Sequence, residues 1–375
     1  MLDDPTIIDP VRCSEFCVGN LRKKDNQSLQ STGVRRFFVV KGYEEMADFF
    51  KHWWFPTNVD HSVDSADFAT AYTSTPLNDL KHKLAIVLKE AWTFEAEEAD
   101  VKLGQMKIRW TGKKTCTWTK ARQTHHSKTL HTFSCHQVIQ LLNFLIDNTY
   151  VVNGGVLRRQ TKGIPMGTNC APAIFNLYLY YYESRWIDEM LEHDHMDEAK
   201  KYHMTFRLID DVCAVDCPDF KELCSSYPDF LSLDNTTLED DSVNFLGMNL
   251  KFTESGLQMK VYDKRKDYPF KVVRFPNLLS EIPEHQAYGV FIGLLHRFYR
   301  ICNYPKFFLT ASVDVAQTLD NQGCKYMKLF KVFSNFLSSK RKLRWPIKIS
   351  TLTKMFRSLF YTVCNDDDLN EPPFS

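Results

Sequence analysis

Apolar positions along this chain recur with two different periods, and the periods locate its elements. In LNDLKHKLAIVLKEAWTF, residues 77–94, Leu80, Leu84, Val87 and Leu88 share one face at helical spacing, which predicts an amphipathic helix. YEEMADFFKHWWF, 43–55, has the same spacing, as does SCHQVIQLLNFLIDNTYV, 134–151, where Val138, Leu141, Leu142 and Leu145 make a core face. Residues 101–131 read as a hairpin instead, because MKIRW and TCTWT flank Thr-Gly-Lys. Short apolar runs around Asp210-Asp211 predict strand, tight turn and strand over 204–216. Pro218–Ser226 then reads as a helix, and Ser242–Met259 as a second hairpin about Glu254-Ser255-Gly256. Beyond about Asn277 the spacing is helical, with Phe291, Leu295, Phe298, Phe330, Phe333, Phe336 and Phe356 recurring among basic residues. Residues 1–30 are polar and irregular, so a loosely ordered start is expected. No internal repeat is present. The class is α+β.

Composition narrows this picture. The chain has 375 residues, 44% hydrophobic and 14% aromatic, enough for two or three packed modules with globular cores. No apolar run approaches the roughly 18 residues that span a bilayer, and no signal-peptide pattern opens the chain, so an intracellular protein without membrane contact is expected. The 11 cysteines are scattered without a CxxC pair. Cys13–Cys17 and Cys213–Cys217 lack partners for a zinc site, and free thiols in a reducing compartment are expected. The net charge of +1 hides segregation: eight Lys or Arg residues and no acid lie between Val101 and His131. Lys107, Arg109, Lys113 and Lys114 belong to this strip, with Trp110 and Trp118 interleaved as on nucleic-acid surfaces. A second basic stretch, Lys325 to Arg357, carries Lys340-Arg341-Lys342, Arg344 and Trp345; a solvated face explains either strip equally well. Acids gather at Glu95–Asp100 and Asp366–Asp368.

Three segments carry candidate chemistry. RLIDDV from Arg207 places two adjacent carboxylates at a hairpin tip, where they repel unless a cation lies between them. Magnesium suits that role: a hard ion that takes one or two carboxylates and bridges phosphates. DFATAYTSTP from Asp67 offers a third carboxylate for a site of two ions about 3.5–4 Å apart. Asp67 could equally cap a helix beginning near Phe68, and Asp64 is a rival acid. Tyr72 reads either as core packing under the turn or as a ring beneath the sugar of a nucleotide, rejecting a 2′-hydroxyl. In GIPMGTNCAP from Gly163, Gly163 and Gly167 permit close backbone approach, Pro165 and Pro172 stiffen the turn, and Thr168 or Asn169 would cap the following helix. Such a helix start suits a phosphate or a template backbone. An ordinary solvated turn and an ordinary loop-to-helix junction are the plain alternatives for each segment taken alone.

Together these segments resemble a reverse transcriptase, most closely the Penelope-like retroelement branch, which is related to telomerase catalytic subunits. DFATAYTSTP, LLNFLIDNTYVVNGG, RQTKGIPMGTNCAPAIFNLYLYYYE, FRLIDD, VNFLGMNL, GLQMKVYDKRKDYPF and HRFYRICN carry the resemblance, over roughly residues 60 to 305. It implies a right-hand polymerase with an antiparallel palm sheet backed by helices, partial fingers and an α-helical thumb. Residues 1–60 would be the partial fingers region, 61–275 the palm with an inserted basic hairpin at about 95–131, 276–362 the thumb and 363–375 an acidic tail. Asp67, Asp210 and Asp211 would be the catalytic acids holding two Mg²⁺ ions, or Mn²⁺ in their place. Phe68, Tyr72, Met166 and Gly167 would line the nucleotide pocket, and Phe245-Leu246-Gly247 would grip the primer. Leu208 stands where the family usually has Tyr. No fingers signature precedes Asp67, Arg35, Arg36 and Arg22-Lys23-Lys24 being weak substitutes. Lys221 is the one lysine between Cys217 and Val243, and no nuclease module follows.

The expected activity is RNA-directed DNA polymerisation, with an RNA template, a DNA primer and dNTPs as partners in the nucleus. A further chain would supply fingers or nuclease function. The alternative is a decayed or domesticated palm that binds RNA or hybrid duplex without synthesis. A third reading, RNA-dependent RNA synthesis, is disfavoured by Tyr72.

Overall fold

The structure, a computed structural model, describes residues 10–53, 55–56, 59–111, 115–125, 130–164, 169–270, 272–278 and 280–367. It is a mixed α/β fold with antiparallel pairing and, among the described residues, twelve α-helices. In chain order these begin with α1 (Pro10–Thr32), α2 (Tyr43–His52), β1 (Val63–Phe68), α3 (Ala71–Ser74) and α4 (Leu77–Glu98). Next come β2 (Met106–Thr111), β3 (Thr115–Lys120), β4 (Leu130–Phe133), α5 (Cys135–Asp147), β5 (Tyr150–Asn153) and β6 (Val156–Arg159). The centre holds α6 (Ala171–Glu192), α7 (Met196–Lys201), β7 (Thr205–Leu208), β8 (Asp211–Val215), α8 (Phe220–Ser225) and β9 (Leu233–Asn235). Last are β10 (Val243–Phe245), β11 (Met248–Thr253), β12 (Gly256–Val261), α9 (Glu284–Ile301), α10 (Pro305–Asp320), α11 (Tyr326–Ser338) and α12 (Ile349–Asp367). No helix among the described residues is long and apolar enough to cross a membrane.

The elements form two compact units, Met1–Val40 with Asp64–Thr236, and Lys41–Val63 with Thr237–Ser375. In the first, a four-stranded sheet runs in the order β7-β8-β1-β9. Helix α6 lies at the centre of this unit against α1, α4 and α7. It is apolar nearly all round, with Ile174, Phe175, Leu177, Tyr178 and Leu179 fully buried, as a helix covered on several sides must be. In α4 the predicted face is inside: Leu80, Leu84, Val87 and Leu88, continued by Ala91 and Trp92. Helix α5 starts at a capping box, where Ser134 accepts from the Gln137 amide at 3.3 Å.

Two expectations are corrected here. The segment expected to be irregular is, from Pro10, the 23-residue helix α1. Phe16, Cys17, Val18 and Leu21 join the core, and Lys24 and Lys23 pair with Glu90 (2.6 Å) and Glu95 (3.5 Å) of α4. Tertiary packing makes this helix, which its own propensity does not announce. The basic segment is a three-stranded sheet, β3-β2-β4, and its tryptophans face inward. Ile108 is in register with Trp118 and Trp110 with Cys116, so alternation sends all four to the core face, where Trp118 meets Trp92 at 4.9 Å. They are packing residues, not a stacking platform.

The second unit has its own core. The sheet β10-β11-β12 runs antiparallel throughout, as three strands where a hairpin was expected. Helices α9 to α12 bury Phe291, Leu295, Phe298, Phe333 and Phe356, with Phe333 stacked on Phe356 at 4.0 Å.

Candidate functional site

The loop between β7 and β8 contains Ile209 and Asp210 alone, because Leu208 pairs with Asp211. A two-residue hairpin turn requires positive φ at its first position, and Ile209 has φ +60°. For a β-branched residue that conformation costs about 1–3 kcal/mol, so the surroundings must impose it. They do so from two sides. Arg207 Nη1 donates to the Ile209 carbonyl at 3.0 Å, and the Phe68 amide donates to the Asp210 carbonyl at 3.3 Å.

Arg207 is itself fully buried and held by α6. Its Nε and Nη2 donate to the two carboxylate oxygens of Glu183, and Nη1 donates to Asn176 Oδ1 at 2.8 Å. The Tyr227 hydroxyl closes the network on Glu183 at 2.9 Å. The helix after the glycine turn therefore carries the buried partners that fix the acidic turn.

The Phe68–Asp210 bond sets the strand of Asp67 beside that turn. Asp67 resolves as a strand residue, not a helix cap, and stands in register opposite Asp234 of β9. Directly opposed residues share a sheet face, so Asp67 and Asp234 are like-charged neighbours. Phe68 turns the other way, packing edge-on against Tyr227 at 4.9 Å and Phe175 at 6.0 Å. Asp64 has the parity of Phe68 and sits toward the far end of β8: after burial, its charge is the next cause raising the Cys213 and Cys217 thiols, the latter to about 12. Of the two rival acids, Asp67 alone adjoins the turn. Asp67 and Asp210 are half-buried, while Asp211 and Asp234 are exposed.

Tyr72 lies in α3 with its ring 4.8 Å from Phe175. Burial first, and then the charge of Asp210, push its phenol well above the ordinary range, which places the ring within electrostatic reach of the turn. The segment entering the glycine turn docks on the same helix: the Gly163 amide donates to Thr75 O at 2.8 Å and the Ile164 amide to Tyr72 O at 2.7 Å. Helix α6 is preceded by Cys170 in the cap position, not Asn169, and its Pro172 falls in the first turn, where no amide is missed. Met166, Gly167 and Thr168, like Lys113 and Lys114, lie outside the described residues.

A carboxylate set of this kind offers hard oxygen donors that fit Mg²⁺ or Mn²⁺. Among the described residues, however, no group of three or more His, Cys, Asp or Glu side chains converges as a metal cage. The backbones meet, and the side chains are not gathered.

Other expected residues lie elsewhere. Lys107 is buried, its amine donating to Gly104 O at 3.0 Å, and Arg109 donates to Thr119 at 2.8 Å on the outer sheet face. Lys23 and Lys24 are engaged with α4, and Arg36 with Asp188 at 2.5 Å. In the second unit Phe245 is buried, and Leu246-Gly247 forms a turn with φ +54° and +72°. Its Leu246 carbonyl accepts from Arg297 at 3.3 Å, and the Arg297 guanidinium lies 4.9 Å from the Tyr43 ring centre. Arg297 also lines a groove of about 620 Å³ with Lys51, His296, Lys340 and Lys342. Lys340 packs its amine over Phe336 at 4.5 Å, and Arg341 is exposed. Sequence reasoning missed Arg297 as an anchor, as it did Asn176, Glu183, Arg207, Tyr227 and Asp234.

This fold is similar to that of telomerase from Candida albicans, solved in complex with a TWJ fragment of telomeric RNA: TM-score 0.53 and 12% identity, over 94% of this chain and 53% of that chain. Apo telomerase from Candida tropicalis matches over the same shares with 14% identity and TM-score 0.44. The chain thus spans about half the length of the telomerase chains it matches. No protein-family model and no curated protein matches the sequence.

Proposed function

We propose that the chain is an RNA-directed DNA polymerase that extends a primer 3′-hydroxyl with dNTPs. The observation that carries this reading is the Phe68–Asp210 backbone bond, which sets the strand of one acid against a turn bearing two more. The likeness in fold to Candida albicans telomerase supports it. In this reading the four-stranded sheet with α6 is the palm, the N-terminal part a partial fingers region, and α9–α12 the thumb.

Asp67, Asp210 and Asp211 would hold Mg²⁺, with Mn²⁺ as a substitute. Bound divalent ions would supply neutralisation of the charge that develops on the transferring phosphoryl group. The protein's own share is alignment. Arg207 and Phe68 hold the acidic turn rigid, Phe68 keeps Asp67 beside it, and Tyr72 presents a ring to the nucleotide sugar. Met166 and Gly167 would complete that pocket, with Phe68 packed into the core behind it and not lining it as expected. Phe245-Leu246-Gly247 would seat the primer, and Lys340 and Arg341 would meet phosphates. The template is RNA and the primer DNA, with a further chain supplying fingers or nuclease function, in the nucleus. The Penelope-like branch is the finer assignment we favour, on the wording of GIPMGTNCAP and FRLIDD.

The test is primer extension on poly(rA)/oligo(dT), with dNTPs or rNTPs, in Mg²⁺ and in Mn²⁺. Wild-type protein extends with dNTPs, and Asp210→Asn abolishes extension while keeping duplex binding. A wild type that extends nothing with either metal ends this reading. The second reading, a palm that binds duplex without synthesis, is favoured by the ungathered acids and by Leu208. It predicts salt-sensitive binding that neither Mg²⁺ nor Asp67→Ala alters.

A further inference from the structure

We propose that Gly163 is a positioning residue for sugar selectivity: it fixes the backbone of Tyr72, and through it the ring that meets the nucleotide sugar. This rests on the polymerase reading above. Helix α3 is a single turn, Ala71–Ser74, so the carbonyls of Tyr72 and Thr75 have no intrahelical partner. Two consecutive amides from a segment far along the chain, Gly163 and Ile164, satisfy them at 2.8 and 2.7 Å. That double bond pattern brings the two backbones into direct contact.

Glycine alone permits it. Gly163 has φ +89°, and a Cβ there would stand 2.4 Å from the Tyr72 carbonyl oxygen and 3.1 Å from the Thr73 Cα. These two obstacles are backbone and cannot swing aside as the third, the Gln160 side chain at 3.1 Å, can. Alanine at 163 must push the Tyr72 carbonyl away by about 1 Å to reach ordinary contact. On the other side the Tyr72 ring leans on Phe175, 4.8 Å between centroids, and Phe175 is fully buried. The ring has a wall behind it and a fixed backbone beneath it, and a shift in the backbone therefore tilts the ring. Discrimination by bulk depends on where a ring edge lies to within a fraction of an ångström. The first glycine of the glycine-rich turn thus acts on the sugar gate, and not only on the nucleotide approach usually asked of such turns.

Two readouts test this. The first is the ratio of kcat/KM for dNTP over rNTP in primer extension. The second is the ¹⁹F resonance of 3-fluorotyrosine at position 72, assigned by its loss in Tyr72→Phe. Gly163→Ala is expected to move that resonance and to lower the ratio about tenfold toward the value of Tyr72→Ala. Gly155→Ala is the control: its φ of +78° is equally strained for alanine, yet nothing lies within 4 Å. It should leave both readouts unchanged. A resonance that Gly163→Ala does not move overturns the proposal, whether or not the protein polymerises. A moved resonance with an unchanged ratio in an active enzyme overturns the selectivity role. Should Gly163→Ala fail to fold, Phe175→Leu removes the wall behind the ring: a lowered ratio supports the sandwiched gate and an unchanged one overturns it. A wild type that extends no primer defeats the polymerase reading and the selectivity role together, and the resonance still decides whether Gly163 places Tyr72.

Discussion

Replacing Glu183 by Gln should cost the first unit more than almost any other single-atom exchange. Glu183 and Arg207 are both fully buried, and Glu183 accepts from Arg207 Nε at 2.5 Å, Arg207 Nη2 at 3.1 Å and Tyr227 Oη at 2.9 Å. Every donor aimed at this carboxylate is an N–H or O–H, so an amide nitrogen placed there faces a donor with a donor. The guanidinium is left buried beside a neutral group. Breaking one partner of such a pair costs about 3–5 kcal/mol, a large part of the roughly 5–15 kcal/mol that holds a domain folded. With a slope near 3 kcal/mol per molar urea, the midpoint of the first unit should fall by about 1–1.5 M. Loss of protection in β7 and α6 by hydrogen exchange assigns the change to this unit.

The double variant Glu183→Leu with Arg207→Met sharpens the argument. If the penalty is desolvation of an uncompensated charge, removing both charges restores that part of the loss and leaves about 1 kcal/mol for each group that loses its partner, the Ile209 carbonyl, Asn176 and the Tyr227 hydroxyl. A Glu183→Gln midpoint within about 0.3 M of wild type refutes the buried pair.

Three further outcomes are expected. Asp67 and Asp234 are directly opposed like charges, so without divalent ions Asp234→Asn should stabilise the fold by about 0.2–1 kcal/mol. MgCl₂ should raise the melting temperature of wild type and not that of Asp67→Asn, and equal shifts in both would separate the ion from this acid. His203 is half-buried, and desolvation, with Arg35 second, holds its imidazole below the ordinary value. The unfolded chain then takes a proton near pH 6.5 that the folded one refuses, so stability is complete above that pH and falls as pH drops through it toward the folded value. His203→Gln should flatten urea stability below pH 6.5, and an unchanged slope would assign the effect elsewhere.

Much of the fold was legible where one period dominates. The α4 face from Leu80 to Trp92 and the β7–β8 hairpin needed no tertiary information, since each buries a regular set of its own apolar residues. Helix α1 was not legible. Its apolar residues cluster in the first half and its second half is almost wholly polar, which makes sense as helix only once Glu90 and Glu95 of α4 stand opposite Lys24 and Lys23. The basic sheet shows a different failure. Counting Lys, Arg and Trp along 101–131 treats the strip as one surface, whereas strand parity sends Trp110 and Trp118 inward. Lys107, with outward parity, still folds back to the Gly104 carbonyl.

The candidate site divides along the same line. Its candidate acids could be picked out because two of them are adjacent in sequence, although an acidic pair alone reads equally as a solvated turn. The groups that hold those acids in place were not, because each acts across a long stretch of chain: Glu183 on Arg207, Gly163 on Tyr72, Asp234 on Asp67. Register is the clearest case. A slip of one residue in β9 would set Leu233 or Asn235 against Asp67 and turn the aspartate to the other face. Leu233, packed on the core face opposite Phe68, is the residue of β9 that opposes that slip, and the pairing it fixes sets two carboxylates side by side. The two carboxylates repel in the isolated protein, and a cation held between them would relieve that repulsion. Asp234 therefore bears on the cation reading as directly as the acids of the turn, although no local motif points to it.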